Sequence, residues 1–464
     1  MAREAIDFRT SFLFCFLLPK QIGALKRLDE STLHPAVPVE VEDGNLVFVQ
    51  TLWRHGDRNP NHHFPKDKFP VTEWDQGGTG LGQLTPVGMS QQRLLGQSLR
   101  KRYHSLVNER YVSNEIYIHS TDVNRTIISA MSNMIGFYNG AKAKKGVDLP
   151  SDDDWPNNFV PIPIHSQSLV TDYILGCPDD AKHADLVYKK LKSTKEYKEL
   201  ENKNKDFLDQ LSKILGYESM SLSFIFSVYD TLFIEKGSEF IKNKPWPDGI
   251  TEDIYKKAGD LAGVLDDYED GIGISDQDGI NFSTELAKIN GGPLLNEMIE
   301  HLKAKTHCLD VATDRTAEDK RMCSFFDPLK YYVYSAHDTT LGSLFSTYGF
   351  KYTNWNTTGL CAYASCTALE LWQKKGANNK NVYTIKVIYW PASVGPLELT
   401  SSVTGCEMGC TLQQFIDRSV NYTDDFVKYC NKNENNGAAI GFTATYCGVA
   451  AFFLISQWIV ASRI

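Results

Sequence analysis

The 464-residue chain has no CxxC pair accompanied by histidines at zinc-ligand spacing, so a zinc module of the usual kinds is excluded. It has no excess of positive charge. Its 48 Lys and Arg against 57 Asp and Glu leave a formal charge of −9, which argues against a protein that coats nucleic acid or anionic lipid. It contains no internal repeat and no long low-complexity tract. No carboxylates gather as a two-metal centre would need, and no metal or other cofactor is expected. With 42% hydrophobic and 23% charged residues, the chain is an ordinary globular protein. Its length allows two or three domains, or one large domain carrying an insertion, and the second arrangement fits the segments better.

The ten cysteines are scattered. Cys406 and Cys410, Cys361 and Cys366, and Cys308 and Cys323 stand at spacings that permit local disulfides in an oxidising compartment, with reduced buried cysteines as the alternative. Asn281, Asn356, Asn421 and Asn124 each open an N-x-Ser/Thr sequon, and together they point to the secretory pathway and to a glycoprotein. At the start, Arg3 and Arg9 precede an apolar run from Ser11 to Leu18 and small residues at Gly23-Ala24. That is a signal peptide over 1–24, although Glu4 and Asp7 dilute its basic start. Residues 437–464 carry no charge before Arg463 and are rich in Phe, Ile, Leu and Val. They fit a membrane-spanning helix or a GPI signal, with a buried C-terminal helix as the plain alternative.

Leu46 to Trp53 reads as a buried strand that runs into Arg54-His55-Gly56. From Thr85 a capped helix with Pro86 in its first turn carries Met89, Leu94, Leu95, Leu99 and Leu106 roughly along one side. A short strand at 115–118 leads to Ser120-Thr121-Asp122, which can cap a helix through Ile127, Ile128, Met131 and Ile135. Residues between about 169 and 302 turn Lys- and Glu-rich with helical spacing. Strands return at 331–335, 367–372 and 382–390. The alternation predicts an α/β sheet with its ligand beyond the carboxyl ends of strands. Arg54-His55, Arg125 and His337-Asp338 all fall at such ends.

Arg54-His55-Gly56-Asp57-Arg58-Asn59-Pro60 places two guanidinium groups around one imidazole, on a turn whose glycine lets a bound group approach the backbone. By chance R-H-G-x-R-x-P would arise on the order of once in ten thousand chains of this length, so an incidental basic turn carries little weight. His337-Asp338 is weak alone: Asp338 reads equally as a helix cap, and Arg125 as a surface residue.

These blocks resemble the histidine acid phosphatase family, and in particular its lysosomal and prostatic branch. The resemblance covers 54–60, 64–103, 119–130, 334–341 and 405–410. It implies a mixed α/β sheet flanked by helices, phosphoglycerate-mutase-like, in two parts at 40–150 and 325–432, with a mostly helical cap at 151–324. It implies that His55 takes the phosphoryl group, that Arg54, Arg58, Arg125 and His337 grip its oxygens, and that Asp338 protonates the leaving oxygen. Asp57 has no chemical step and reads as positional. The family's cysteine pattern suggests Cys177 with Cys430 and Cys406 with Cys410, and relatives are often homodimers. His119 and Asn124 depart from the family's usual R-S-T-D-V-D-R, and a glycan on Asn124 would obstruct the phosphate site. The substrate implied is a small-molecule or protein phosphomonoester, hydrolysed in acid on the lumenal or outer side of a cell-surface or lysosomal membrane. Transfer to a second acceptor, as in a phosphomutase, and a catalytically silent binding protein are the rival readings.

Overall fold

The computed structural model describes residues 44–423 except 140–141, 153, 157–158, 176–181, 239–245, 312 and 392–394. The expected signal peptide and C-terminal membrane segment, with Cys177 and Cys430, lie outside the described residues. Among those residues no helix is long and apolar enough to cross a membrane.

Among the described residues seven strands form one mixed sheet. They are β1 (Asn45–Arg54), β2 (Ile116–Thr121), β3 (His165–Gln167), β4 (Tyr331–Ala336), β5 (Cys366–Lys375), β6 (Asn381–Trp390) and β7 (Leu397–Glu398), in the order β3-β2-β4-β1-β5-β6-β7. β3, β2, β4 and β1 run parallel, and β5, β6 and β7 continue the sheet antiparallel from β1. The central strands β1 and β4 are buried and apolar on both faces, as parallel strands under helices must be. The short strand β3 has no hydrophobic pattern of its own and was not expected.

α1 (Pro86–Tyr103) and α2 (Asn124–Phe137) cover one face. Thr85 caps α1 by accepting from the Gly88 N–H. The expected apolar stripes are only half right. Leu95 and Leu99 are buried, but Leu94 on α1 and Met131 and Ile135 on α2 face outward. The two helices cross where a Cβ on Gly96 would lie 2.0 Å from the Asn133 carbonyl oxygen and one on Gly136 1.9 Å from that of Arg93. Such an approach admits only small or slender side chains, so Gln92, Ser129 and Asn133 fill the seam and the bulky residues turn away. α2 also starts without the expected side-chain cap: its N-cap is Val123.

α3 (Lys182–Leu191), α4 (Lys195–Leu215), α5 (Ile225–Gly237), α6 (Glu252–Glu269) and α7 (Phe282–Asn290) enclose a hydrophobic cluster of their own, joined by Phe64. On α4 the buried Tyr197, Asn204, Phe207, Leu208, Leu211 and Leu215 recur at helical spacing, and the helix stops at Gly216 with φ 89°. α8 (Gly292–Asp310) and α9 (Ala317–Phe326), which sequence placed in the cap, instead pack on the other sheet face with α10 (Asp338–Thr347) and α11 (Leu412–Ser419).

Disulfides join Cys308 to Cys323, between α8 and α9, and Cys406 to Cys410. Cys361 and Cys366 are free and buried. Their spacing permitted a bridge, but they belong to clusters on opposite faces of the sheet.

Candidate active site

The register of the sheet brings the three strand ends together. Arg54 pairs with Ala336, Ser120 with Ser335, and the His55 N–H bonds the Ala336 carbonyl at 3.0 Å. The residues just beyond are His55 after β1, Arg125 in the first turn of α2, and His337-Asp338 at the start of α10. Sequence separations of 212 and 216 residues close into contacts: Arg125 Nη2 lies 3.4 Å from His337 Nδ1, and Thr121 Oγ1 lies 3.1 Å from His337 Nε2. All six expected site residues therefore cluster around His55 at the strand ends. α2 and α10 aim their N-termini at this cluster, where unpaired N–H groups favour an anion.

The turn after β1 is set by close backbone packing. A Cβ on Gly56 would lie 2.3 Å from the Gly88 carbonyl oxygen, and one on Gly88 would lie 2.2 Å from that of Asp57, so both positions require glycine. Asp57 takes a 2.5 Å hydrogen bond from Thr85 Oγ1, and its own N–H donates to Gln91 Oε1 at 2.7 Å. Asp57 thus fastens the turn to the start of α1, as a positional role requires. Gly56 N donates to Ser129 Oγ at 3.2 Å, and Gln92 Nε2 donates to the Arg54 carbonyl at 2.7 Å.

His55 is 1% exposed, and its Nδ1 lies 2.8 Å from the Gly56 carbonyl. A carbonyl only accepts, so the ring proton sits on Nδ1 and the Nε2 lone pair is free. Burial, then Arg54, Arg58 and Arg125, hold its pKa well below the ordinary value, so the ring stays neutral in acid. Burial and Arg125 likewise bring His337 down to about 3.

Arg54 donates through Nη1 to the Cys361 carbonyl, places Nη2 3.0 Å from Asp338 Oδ2, and lies 4.2 Å over the ring of Tyr363. Arg58 Nη2 meets both carboxylate oxygens of Asp230 at 3.0 Å. The Nε groups of Arg54, Arg58 and Arg125 are buried with no acceptor. Burial and the neighbouring Arg58 bring Arg125 down to about 10. Burial would raise Asp338, but Arg54, Arg58 and His337 outweigh it and hold the carboxyl below its usual range. Three guanidinium groups set against the two carboxylates of Asp338 and Asp230 still leave the strand-end crevice short of negative charge, and an anion would supply it.

Asp230 and Tyr363 were not found from sequence. Tyr363 stands 6.0 Å from His55, ring to ring, with its hydroxyl buried and unpartnered. Asp230 is a carboxylate in the middle of the apolar run of α5, and that incongruity was its one signal. His119 does not line the pocket. It lies on β2 with Nε2 3.7 Å from Asp172 Oδ2, near Tyr334 on the α8 face of the sheet. Asn124 is exposed and donates to Gln83 Oε1 at 3.3 Å.

A family model described as histidine phosphatase superfamily (branch 2) matches residues 45–390. Prostatic acid phosphatase of Mus musculus is 33% identical over 382 residues, covering 80% of this chain and 85% of its own. Lysosomal acid phosphatase of Xenopus laevis is 31% identical over 388 residues, covering 82% and 78%. A solved structure of Hafnia alvei phytase in complex with tartrate aligns with TM-score 0.55 at 16% identity, over 86% of this chain and all of that one, which is a likeness of fold.

Proposed function

The chain belongs to the histidine phosphatase superfamily, branch 2, and from that premise we propose that His55, Asp338 and the three arginines carry out in this protein the acid phosphatase reaction of its relatives. The observation that carries the assignment is His55 itself: a buried, neutral imidazole whose proton is committed to the Gly56 carbonyl, with Nε2 free among three guanidinium groups.

In the first step His55 Nε2 attacks phosphorus, the P–O ester bond breaks, and Asp338 gives its proton to the departing oxygen. Arg54, Arg58, Arg125 and His337 hold the equatorial oxygens, whose charge is worth most to fixed donors in a site closed to water. In the second step water attacks the phosphohistidine, Asp338 takes its proton, and inorganic phosphate leaves with His55 neutral again.

Asp338 is ionised in the ligand-free pocket, yet it must begin the cycle protonated. The proton can arrive with the substrate, because a phosphate monoester below its second pKa of about 6 is a monoanion. Binding a phosphoryl group also offsets the arginines that depress Asp338. Acid medium therefore serves both partners, while burial and the arginines keep His55 from being protonated by that same acid.

Lysosomal and prostatic relatives and the Cys308–Cys323 disulfide support a secretory or lysosomal compartment. Attachment through 437–464, glycans on Asn281, Asn356 and Asn421, and a homodimer are proposed from sequence and resemblance. The cap is proposed to be α3 to α7, whose cluster is separate from those on the sheet.

Rapid acid quenching during turnover, followed by mass spectrometry of the peptide bearing His55, tests the mechanism. Phosphate on His55 is expected; its absence there, with phosphate on another residue, would overturn the assignment.

A further inference from the structure

We propose that Asp230, in the middle of cap helix α5, is a positioning residue for phosphoryl transfer: it orients Arg58, so the cap takes part in the chemistry as well as covering it. The proposal rests on the reading of Arg58 as a phosphate ligand.

Arg58 has three sides. Nη2 is held by both oxygens of Asp230 at 3.0 Å, Nη1 donates to the Asn59 carbonyl at 3.2 Å, and Nε is buried without an acceptor. The protein thus fixes two edges of the planar fork and leaves the third without a partner. Asp230 is 3% exposed and reaches Arg58 across 172 residues of sequence. The other two guanidinium groups are held differently. Arg54 is held by the Cys361 carbonyl and Asp338, both near the sheet, and Arg125 meets only His337 among the contacts above. Of the three, Arg58 alone takes its orientation from a cap helix.

The contact is part of a larger grip. Thr231 Oγ1 donates to the His62 carbonyl at 3.4 Å. Glu235, on the same helix, is buried beside Asp67, and that burial and neighbour push its carboxyl up to about 9. From Arg58 to His62, the segment following the signature turn is therefore held by Asp230 and Thr231 of α5, with Glu235 beside Asp67 one turn further on.

The electrostatic sign separates positioning from binding. A carboxylate beside the phosphate cradle repels the anion, so Asp230 works against ground-state affinity. A buried ion pair is also poor value as a source of stability alone. Its return is a guanidinium already aimed when charge develops on the phosphoryl oxygens, which raises kcat without tightening ground-state binding.

The test is a double-mutant cycle of Asp230→Asn and Arg58→Ala, read as kcat on p-nitrophenyl phosphate and as Ki for inorganic phosphate. Asp230→Asn is expected to lower kcat by about 10- to 100-fold while Ki stays level or tightens. In the Arg58→Ala background the same change should cost less than about 3-fold. Full additivity, or a kcat loss matched by weaker phosphate binding, would overturn the positioning role while leaving Arg58 a ligand. If Arg58→Ala alone leaves both readouts unchanged, the cradle reading of Arg58 fails and the proposal with it. Should Asp230→Asn not fold, Arg58→Lys puts the same question from the other side, since it keeps the charge and the pairing but not the fork. Loss of kcat with Ki held supports the proposal, and retained kcat overturns it.

Discussion

Two buried carboxyl sites lie at the same helix and end in opposite protonation states. At the first residue of α10, Asp338 faces Arg54 and is held below the usual carboxylate range. Further along α10, Ser343 donates to Asp270 of the α6–α7 junction, which stands beside the acidic Asp266, Asp267 and Glu269. Burial pushes Asp270 up to about 7 and Asp266 well above its ordinary value. Burial is common to both sites, so the neighbours decide the charge. Where cations were placed in excess the carboxyl stays ionised and waits for an anion. Where the neighbours are themselves acidic it holds its proton, while Ser343 and Asn290 donate to Asp270 and Thr353 donates to Asp266.

The largest expected effect tests the cationic site at its centre. His55→Ala removes the atom proposed to accept the phosphoryl group, and turnover should vanish for every ester whatever its leaving group. Residual turnover by the folded variant would remove the phosphohistidine from the mechanism. Next, Asp338→Asn should cost about 10²–10⁴ in rate on an alkyl phosphate such as glycerol phosphate and less on nitrophenyl phosphate, whose oxygen departs without much protonation. Equal losses on the two would rule out Asp338 as the acid.

A third experiment exchanges the character of the two carboxyl sites. Arg54→Met takes away the nearest cation, so Asp338 should behave more like Asp266 and its pKa should rise. Beyond a general fall in rate, the pH profile of kcat/KM should lose the inflection of an Asp338 held below the usual carboxylate range and gain one at higher pH. An unchanged profile would break the comparison.

The smallest effect concerns stability. A carboxyl whose pKa is raised on folding contributes stability that is complete below its unfolded value and is lost as pH rises through the folded one. For Asp270 that window runs from about 4 to about 7. Asp270→Asn should therefore flatten the fall in Tm between those values while changing Tm little at the acid end. The buried histidines work in the other direction. His337, brought down to about 3, favours folding less as pH falls from the usual histidine value toward that point. A Tm profile of Asp270→Asn parallel to that of the unchanged protein would show that Asp270 does not titrate in this range.

The sheet and the residues that gather at its strand ends were legible because each depends on local pattern. Tyr331 to Ser335 is apolar on both faces and can only be a covered strand, and Arg54-His55-Gly56 follows directly on another. The packing of α1 on α2 was not legible. Leu94, Met131 and Ile135 satisfied the helical period, but the glycines at 96 and 136 bring the backbones so close that the seam belongs to small and polar residues. Asp230 escaped for a different reason. Its meaning lies in Arg58, 172 residues away, and no spacing rule joins the two. The boundary of the cap was misjudged at α8 and α9 because a helix packed on a sheet and a helix packed on helices show the same amphipathic period.

The order of the sheet has a consequence during synthesis. β4 lies between β1 and β2 yet is made long after both, so the chain emerging from the ribosome has its first two strands waiting for the strand that separates them. His337 follows Arg125 by 212 residues, and at about 5–20 residues per second that delay is roughly 10–40 s. Throughout that interval the nascent protein carries His55, the proposed nucleophile, without Asp338, the proposed proton donor. Competence to cleave esters arrives only when the cap has been translated and the second half of the sheet docks.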